Sequence, residues 1–177
     1  MDTGPPNNCE ICNKEFSVFD WNYQCKECLK YCCIECHESL PDTGYLAFNP
    51  FSDIEITDYV LCNETVCIKC YKEKVTPIEE KYEKSKSKSD SIAVFSSNYK
   101  GDVPYKQNAK RKEITSSFWR DRDDALKELR VTADYLGYNL IYDRKWDKKT
   151  ESKPSNTGDG TYKYSVWAAS ATATKHR

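Results

Sequence analysis

The sequence predicts two small domains of different class, a cysteine-rich module followed by an α+β domain. Three observations predict this division. All ten cysteines precede residue 71, residues 1–70 hold twelve acidic side chains against four basic ones, and the clearest helical pattern lies later, at residues 120–138. A segment of about 70 residues rarely buries enough apolar surface to fold without additional cross-links. We therefore expect the first domain to depend on its cysteines.

Eight of the cysteines form four C-x-x-C pairs. Such a pair places two thiolates on one tight turn, where they can hold a single ion, and two pairs complete a tetrahedral zinc site. The first residues show no basic and apolar leader, so we expect reduced thiols and a cytoplasmic protein, with a non-classical secretion route left open. Four pairs therefore predict two Zn²⁺ ions. The pairs are Cys9/Cys12, Cys25/Cys28, Cys33/Cys36 and Cys67/Cys70.

The spacing of the pairs favours a cross-brace. Only four residues separate Cys28 from Cys33, which is too short for two independent zinc knuckles laid end to end. In a cross-brace, alternate pairs share an ion, and the interleaved loops fold as one unit. The first zinc is predicted to bind Cys9, Cys12, Cys33 and Cys36, and the second to bind Cys25, Cys28, Cys67 and Cys70.

The residues around the ligands resemble a known family. The stretch Cys9-Glu-Ile-Cys12-Asn-Lys-Glu-Phe16-Ser17-Val18, the two following pairs, and the closing Val66-Cys67-Ile-Lys-Cys70-Tyr71 resemble the FYVE-type finger of the FYVE/PHD superfamily. The resemblance covers about residues 7–75. It implies a cross-braced module with two short hairpins and a terminal helical turn.

The lipid-binding residues of that family are not present here. FYVE domains that read phosphatidylinositol 3-phosphate carry Arg-Arg-His-His before the third cysteine, where this chain has Trp21, Asn22, Tyr23 and Gln24. Nothing before Cys9 supplies the family's Trp-x-x-Asp element. The acidic charge of residues 1–70 also repels the phosphates of lipids and nucleic acids. The resemblance therefore implies a module that binds a protein partner, with membrane lipid disfavoured and no nucleic acid.

Several alternatives stay open at this point. A phosphoinositide-binding adaptor is one, and a RING- or PHD-like finger acting in ubiquitin transfer or histone-tail reading is another. A PHD finger would place a histidine where Cys33 stands, and His37 is the only histidine near a RING-type position. Cys32 and Cys62 are spare; we expect both to be buried core thiols, although Cys32, Cys62 or His37 could replace a ligand.

The insert between Cys36 and Cys67 is the most apolar part of the module. It forms either local core over the second zinc or an exposed patch for a partner. Its apolar residues are Tyr45, Leu46, Phe48, Phe51, Ile54, Ile56, Tyr59, Val60 and Leu61. The candidate partner-binding residues are Trp21, Tyr23, Phe48 and Phe51.

The second half follows a polar segment. We predict residues 1–75 as the zinc module, 76–90 as a polar Lys/Ser linker, and 91–177 as a small α+β domain. The first part of the linker can continue a short helix, whereas the Ser/Lys alternation from Ser85 is expected to be flexible. The predicted order of the α+β domain is β-α-β-β, an antiparallel sheet with one packed helix, with strands at 91–98, 139–147 and 161–173 and a loop at 153–160. Asp121 or Asp123 is expected to cap the helix at 120–138, and Gly137 to end it.

The run from Ala125 to Ile141 in this half resembles the helix-to-strand core of YbjQ-like α/β domains. That resemblance implies a tendency to oligomerise and no defined chemistry. No catalytic residue is predicted, because the cysteines are committed to closed metal sites and neither His37 nor His176 has a recognisable partner. The sequence thus favours a non-enzymatic role, apart from RING-like docking of a conjugating enzyme.

Overall fold

The computed structural model describes residues 6–17, 20–40, 47–48, 50, 65–155 and 160–177. The chain divides into two compact units, Met1–Thr43 with Asn49–Glu80 and Gly44–Phe48 with Lys81–Arg177. Phe51, Cys62 and the apolar run at 54–61 lie outside the described residues, so the predictions made for them stay predictions. Within the described ranges, no helix is both long enough and apolar enough to cross a membrane.

Two small antiparallel sheets form the first unit. Strands β1 (Asn22–Gln24) and β2 (Tyr31–Cys33) pair in one, and β3 (His37–Ser39) pairs with β4 (Thr65–Cys67) in the other. A single 3₁₀ turn, Ile34–Cys36, joins β2 to β3. Among the residues that the structure describes, cysteines make up most of the buried core, together with Val66 and Val75.

A helix follows β4 directly. We label residues 68–88 as α1; it begins as α-helix at Ile68–Cys70, widens to a π-helix at Tyr71–Val75 and continues as α-helix over Thr76–Lys88. The prediction of a flexible segment from Ser85 is therefore wrong, because the helix continues to Lys88. The boundary between the two compact units, at residues 80 and 81, falls within this helix.

The physical reason is a buried stripe that an apolar pattern does not reveal. Val75 and Ile78 contact the core of the first unit, Tyr82 follows at the next turn, and Ser85 and Ser89 are buried further on. These positions recur every three or four residues, which is the period of one helix face. The stripe continues through Ser85 and Ser89, which are small enough to be buried, and the Ser89 hydroxyl donates to the Lys86 carbonyl at 2.8 Å. The sequence therefore looks polar where one face of the helix is buried.

The second unit is a four-stranded mixed sheet with one helix. Its elements are β5 (Ala93–Ser96), β6 (Lys112–Thr115), α2 (Arg122–Tyr135), β7 (Leu140–Pro154) and β8 (Thr161–Thr174). The sheet order is β5-β7-β8-β6, with β5 parallel to β7 and the other pairs antiparallel. The predicted order lacked β6, and the predicted all-antiparallel sheet is wrong at the β5–β7 pair.

Strand β6 escaped prediction because its sequence is Lys-Glu-Ile-Thr. Only Ile114 of its residues is buried, so the alternation that marks a half-buried strand has a single apolar member. Its pairing with Ala171 and neighbouring residues of β8 is therefore a tertiary effect. Strand β7 also runs longer than predicted, to Pro154, because it pairs along nearly its whole length with β8.

The residues predicted to end α2, Asp121 and Gly137, are confirmed in those roles. The Asp121 side chain accepts a hydrogen bond from the Asp123 amide at 2.9 Å, which satisfies one of the free N–H groups at the helix start. At the other end Gly137 has φ +82°, with its amide bonded to the Asp134 carbonyl and the Tyr138 amide bonded to the Ala133 carbonyl. This pair of bonds is a Schellman motif, which favours glycine at the left-handed position.

A buried carboxylate joins α2 to the loop before it. Glu128 is only 7% exposed and accepts hydrogen bonds from the Ser117 amide at 2.9 Å and from Trp119 Nε1 at 2.6 Å. Its other oxygen accepts the Ala47 amide at 2.8 Å. Helical periodicity from Ala125 and Leu129 places Glu128 on the buried face of α2. The spacing in the sequence therefore indicates that Glu128 is buried, although a charged residue is usually exposed.

We predict that Glu128→Ala lowers the free energy of unfolding of the second unit by about 3 kcal/mol, because it strands buried donors from Ser117 and Trp119. The neighbouring exposed Lys127→Ala should change it by less than about 0.5 kcal/mol. Urea denaturation followed by amide resonances of β7 and β8 measures both values. An equal effect of the two variants would contradict the assigned role of the carboxylate.

Candidate metal centre

Two turns of the first unit have the same backbone construction. In the first, the Cys9 amide bonds the Lys14 carbonyl at 2.8 Å and the Asn13 amide bonds the Cys9 carbonyl at 2.7 Å. In the second, Cys25 and Leu29 repeat both bonds, at 2.8 Å each, with the Lys30 carbonyl as the equivalent acceptor. The residue after each C-x-x-C pair is left-handed, with φ 65° at Asn13 and 60° at Leu29. Each turn thus presents its two thiols as a knuckle.

Each knuckle is hydrogen-bonded to a strand that leads to another cysteine pair. The Glu10 amide donates to the Tyr31 carbonyl at the start of β2, at 2.9 Å. The Lys26 amide donates to the Thr65 carbonyl at the start of β4, at 3.2 Å. Strand β2 ends at Cys33 and β4 ends at Cys67. Strand β2 therefore brings the third pair to the first knuckle, and strand β4 brings the fourth pair to the second knuckle.

The third and fourth pairs each lie on a helical turn. Cys33 precedes the 3₁₀ turn that ends at Cys36, and Cys67 precedes the first turn of α1, which contains Cys70. An extended residue followed by a helical turn directs both sulfur atoms to one side.

The eight thiols form two groups that the structure brings together from distant parts of the chain. Within each group the sulfur atoms all lie within 4.8 Å of one another. One group is Cys9, Cys12, Cys33 and Cys36, and the other is Cys25, Cys28, Cys67 and Cys70. These are the same two sets that the spacing predicts. Each group could bind one metal ion.

The distances between sulfur atoms suit a tetrahedral metal site. Zinc with Zn–S bonds of about 2.3 Å separates its sulfur ligands by roughly 3.8 Å. Cys12 Sγ and Cys33 Sγ are 3.8 Å apart in the first group, and Cys28 Sγ and Cys67 Sγ are 3.9 Å apart in the second. A disulfide would need about 2.05 Å. Every cysteine that the structure describes is a free thiol.

The pKa values of the thiols indicate that a cation is needed to hold all four as thiolates. Burial raises the pKa of Cys9, but bonds from the backbone amides of Cys12 and Cys33 outweigh it and lower the pKa to about 6. Burial and hydrogen bonds to neighbouring thiols instead raise the pKa of Cys36 and Cys70. Four thiolates in one group therefore repel one another unless a positive ion lies between them.

The spare residues near the groups are placed as core and packing residues. Cys32 is fully buried, and its Sγ contacts the Tyr23 carbonyl at 3.4 Å. Burial and the surrounding thiols raise its pKa to about 12, so it behaves as a neutral core thiol, as predicted. His37 belongs to neither group; its Nδ1 lies 2.7 Å from the Ile34 carbonyl and its ring stacks on Tyr23 at 4.0 Å.

The predicted partner-binding residues have different environments. Trp21 is 77% exposed. Tyr23 is half-buried against the cysteine core and stacked on His37. Phe48 is half-buried in the second unit, where its ring lies 5.1 Å from that of Tyr135. Among these, only Trp21 is freely available to a partner, and Phe51 lies outside the described residues.

Leu29 and Ile34 are candidate contact residues that the sequence analysis missed. They are 62% and 60% exposed. The left-handed φ of Leu29 costs about 1–2 kcal/mol for a residue with a β-carbon, so this leucine is both exposed and strained. The equivalent knuckle residue, Asn13, is of a type that tolerates this conformation. The presence of leucine at the position equivalent to Asn13 is the sequence feature that could have identified Leu29 as unusual.

We predict that Leu29→Asn raises the thermal midpoint of the metal-loaded first unit by about 4 °C, since it relieves about 0.5–1 kcal/mol of backbone strain. Ile34→Asn, a change of the same exposed type at a residue without positive φ, should leave the midpoint nearly unchanged. Amide resonances recorded through a thermal ramp give both midpoints. A lower midpoint for Leu29→Asn would mean that the leucine side chain stabilises the unit by packing.

The interpretation of the two cysteine groups depends on their own geometry and chemistry. No protein-family model, curated protein or solved structure matches this chain.

Proposed function

We propose that the first unit is a cross-brace module that binds two Zn²⁺ ions and serves as a FYVE-related platform for a protein partner. The observation that supports it most directly is the grouping of alternate cysteine pairs, with all sulfur atoms of each group within 4.8 Å. Four-cysteine sites are closed and structural, because the protein fills every coordination position. The role of the metal is therefore to fold the module, and the function lies on its surface.

The chain's own residues prepare each site. Backbone amides directed at Cys9 and Cys25 outweigh the effect of burial, lower the pKa of both thiols and so favour their ionised forms. Zinc, when bound, supplies a compact positive charge among four thiolates and closes long loops of the chain. Tetrahedral sulfur ligands suit zinc and also a mononuclear iron, so the metal itself is the first property to measure.

Metal analysis of the full chain tests this part of the proposal. We expect two zinc ions per chain and no visible colour, whereas a ferric four-thiolate site is coloured. Exchange with cobalt should give the visible bands of tetrahedral cobalt thiolate, with an intensity that doubles between one and two equivalents. One metal per chain, or iron in both sites, would overturn the two-zinc assignment.

The partner-binding surface that we propose centres on the β1–β2 hairpin. Asn22 and Cys33 are paired at one end of the hairpin, so Trp21 and Ile34, the next residues on each strand, flank that end. Leu29 lies in the loop at the other end. The strands are only three residues long, about 10 Å, so one partner can contact both ends. Exposed tryptophan and aliphatic side chains are typical anchors of protein interfaces.

Charge defines the chemistry of the partner. Asp20, Glu35 and Glu38 are exposed at the end of the hairpin that carries Trp21 and Ile34, and Glu35 is ion-paired with Lys14 at 3.4 Å. Each four-thiolate zinc site would add a formal −2 charge to the module. A complementary partner presents apolar side chains flanked by lysines or arginines. The same negative field repels phosphate, which favours a protein over a lipid headgroup or a nucleic acid.

Affinity capture with the zinc-loaded full chain, followed by binding measurements on the captured protein, tests the surface. The double variant Trp21→Ser/Ile34→Ser should weaken binding about thirtyfold, which corresponds to a loss of about 2 kcal/mol. Tyr162→Ser is the matched control, because Tyr162 is 61% exposed in the second unit. Equal loss in the control, or unchanged affinity in the double variant, would place the interface elsewhere.

Two parallel assays separate the proposal from the other functions that the sequence leaves open. The first assay measures binding to vesicles that contain phosphatidylinositol 3-phosphate. Saturable binding that is weakened by neutralising Lys26 and Lys30 would mean that the module binds a lipid and not a protein partner. The second assay tests autoubiquitination with a panel of conjugating enzymes, and a positive result would mean that the module acts in ubiquitin transfer. We expect neither activity.

A further inference from the structure

The second unit contains a concavity of about 450 Å³ at the C-terminal end of α2. Three lysines line it together with apolar side chains. No aspartate or glutamate is among the residues that line it. The residues on which the argument depends are Lys106, Ala109, Lys110, Leu136, Tyr138 and Lys175.

Tertiary pairing brings the three lysines to one place. The Lys106 amide donates to the Lys175 carbonyl at 3.1 Å, next to a bridge between Tyr105 and His176. The hydroxyl of Thr174 donates to the Lys110 carbonyl at 3.2 Å. Segments about 65 residues apart in sequence are thereby held side by side, and their backbone bonds leave the ammonium groups free.

The charge of the three lysines is uncompensated. Within the part of the chain that the structure describes, Lys106, Lys110 and Lys175 make no ion pair and are exposed. Arg111 and Lys112 follow directly in the sequence and add to the positive field. Closely spaced ammonium groups repel one another, and an anion that binds among them relieves this repulsion because it is attracted by each group.

The apolar part of the concavity is rigid and open. Leu136 and Tyr138 flank Gly137, which the Schellman motif holds at φ +82°. Apart from its two neighbours in the chain, a β-carbon added at Gly137 would meet no atom within 4 Å, so the space at this glycine is clear. Leu136 and Tyr138 also contact the sheet core, which keeps this apolar surface in place. The site thus combines fixed apolar surface with convergent positive charge.

We propose that this concavity binds a small organic anion that has an apolar body and one sulfonate, carboxylate or phosphate group. The volume accommodates a molecule of two or three fused or linked rings, since ligand pockets of a few hundred Å³ enclose compounds of that size. The apolar body rests on Leu136 and Tyr138, and the acidic group lies among the ammonium groups of Lys106, Lys110 and Lys175. A purely inorganic anion uses only half of the site.

The probe that tests the site is 1-anilinonaphthalene-8-sulfonate, added to the zinc-loaded full chain. N-phenyl-1-naphthylamine has the same rings without the sulfonate, and sodium sulfate supplies the charge without the rings. We expect saturable binding of one sulfonate probe per chain, with amide shifts at Ala109, Gly137 and Tyr138. The neutral amine and sulfate should each bind at least about tenfold more weakly.

Three variants distinguish the concavity from general surface charge. Lys110→Glu/Lys175→Glu should weaken the sulfonate probe about tenfold or more, while the exposed Lys100→Glu should not. Ala109→Trp keeps every charge and fills the concavity, so it should abolish binding. Binding that survives Ala109→Trp, or that sulfate matches, would mean that the lysines act as a surface patch for polyanions and would overturn the proposal. Unperturbed β7 and β8 resonances confirm that each variant is folded.

Discussion

Removing zinc from the full chain should unfold the first unit and leave the second folded. Structural zinc contributes about 10–16 kcal/mol in small modules, and most of the described core of the first unit is cysteine. The second unit has a separate core of aliphatic and alanine side chains around Leu129 and Ile141. A high-affinity chelator under reducing conditions should therefore collapse the dispersion of amide resonances from residues 6–17, 20–40 and 65–78 while those of β5–β8 persist.

The reversibility of this transition is its control. Two equivalents of zinc should restore the lost resonances, whereas magnesium, which prefers oxygen ligands, should not. If the first unit keeps its dispersed resonances after the chelator has removed all metal, the core is self-sufficient and the zinc-dependent fold is wrong. If the second unit unfolds as well, its stability is coupled to the metal in a way that its separate core does not predict.

Two neighbouring cysteines should respond to serine in opposite ways. Cys33→Ser should reduce the zinc content from two to about one per chain, because it removes a thiolate from the group that contains Cys9. Cys32→Ser should retain both ions, since Cys32 belongs to neither group, and should lower the unfolding free energy by only about 1–2 kcal/mol as a buried polar change. Metal analysis with quantitative thiol assay measures both outcomes on the same preparations.

The adjacency of the two positions makes this comparison strict. Both residues are on β2 and both are buried, so a difference in metal content reflects coordination and not general disruption of the strand. Loss of one zinc in Cys32→Ser with none lost in Cys33→Ser would show that the ligand register is shifted by one residue. Loss of both ions in Cys33→Ser would show that the two sites fold together, as interleaved loops allow.

The candidate site was predictable in composition, and its surroundings were predictable only in part. C-x-x-C spacing restricts each pair to one turn, so the two groups follow from few physical assumptions. The same reasoning placed Cys32 in the core, because the x-x spacing leaves it out. It did not find Leu29, whose importance depends on a left-handed φ, nor the docking of Phe48 on Tyr135, which requires two distant segments to meet.

The second unit shows where sequence patterns stop. Asp121 and Gly137 were predicted as helix ends because their chemistry acts over a few residues. Strand β6 was missed because its only buried residue, Ile114, gains its partners from β8, more than fifty residues away. The end of helix α1, from Ser85, was taken for a flexible linker because Ser85 and the following Ser89 are buried without being apolar.

By itself the sequence determined the thiol ligands, the pairing of cysteines on tight turns, the ends of α2 and the acidic excess of residues 1–70. All of these depend on residue type and short spacing. The tertiary structure decided the parallel strand β5, the burial of Glu128 and the convergence of Lys106, Lys110 and Lys175 on one concavity. These features arise from contacts between segments far apart in the chain, and local propensity carries no information about which distant partner a residue will meet.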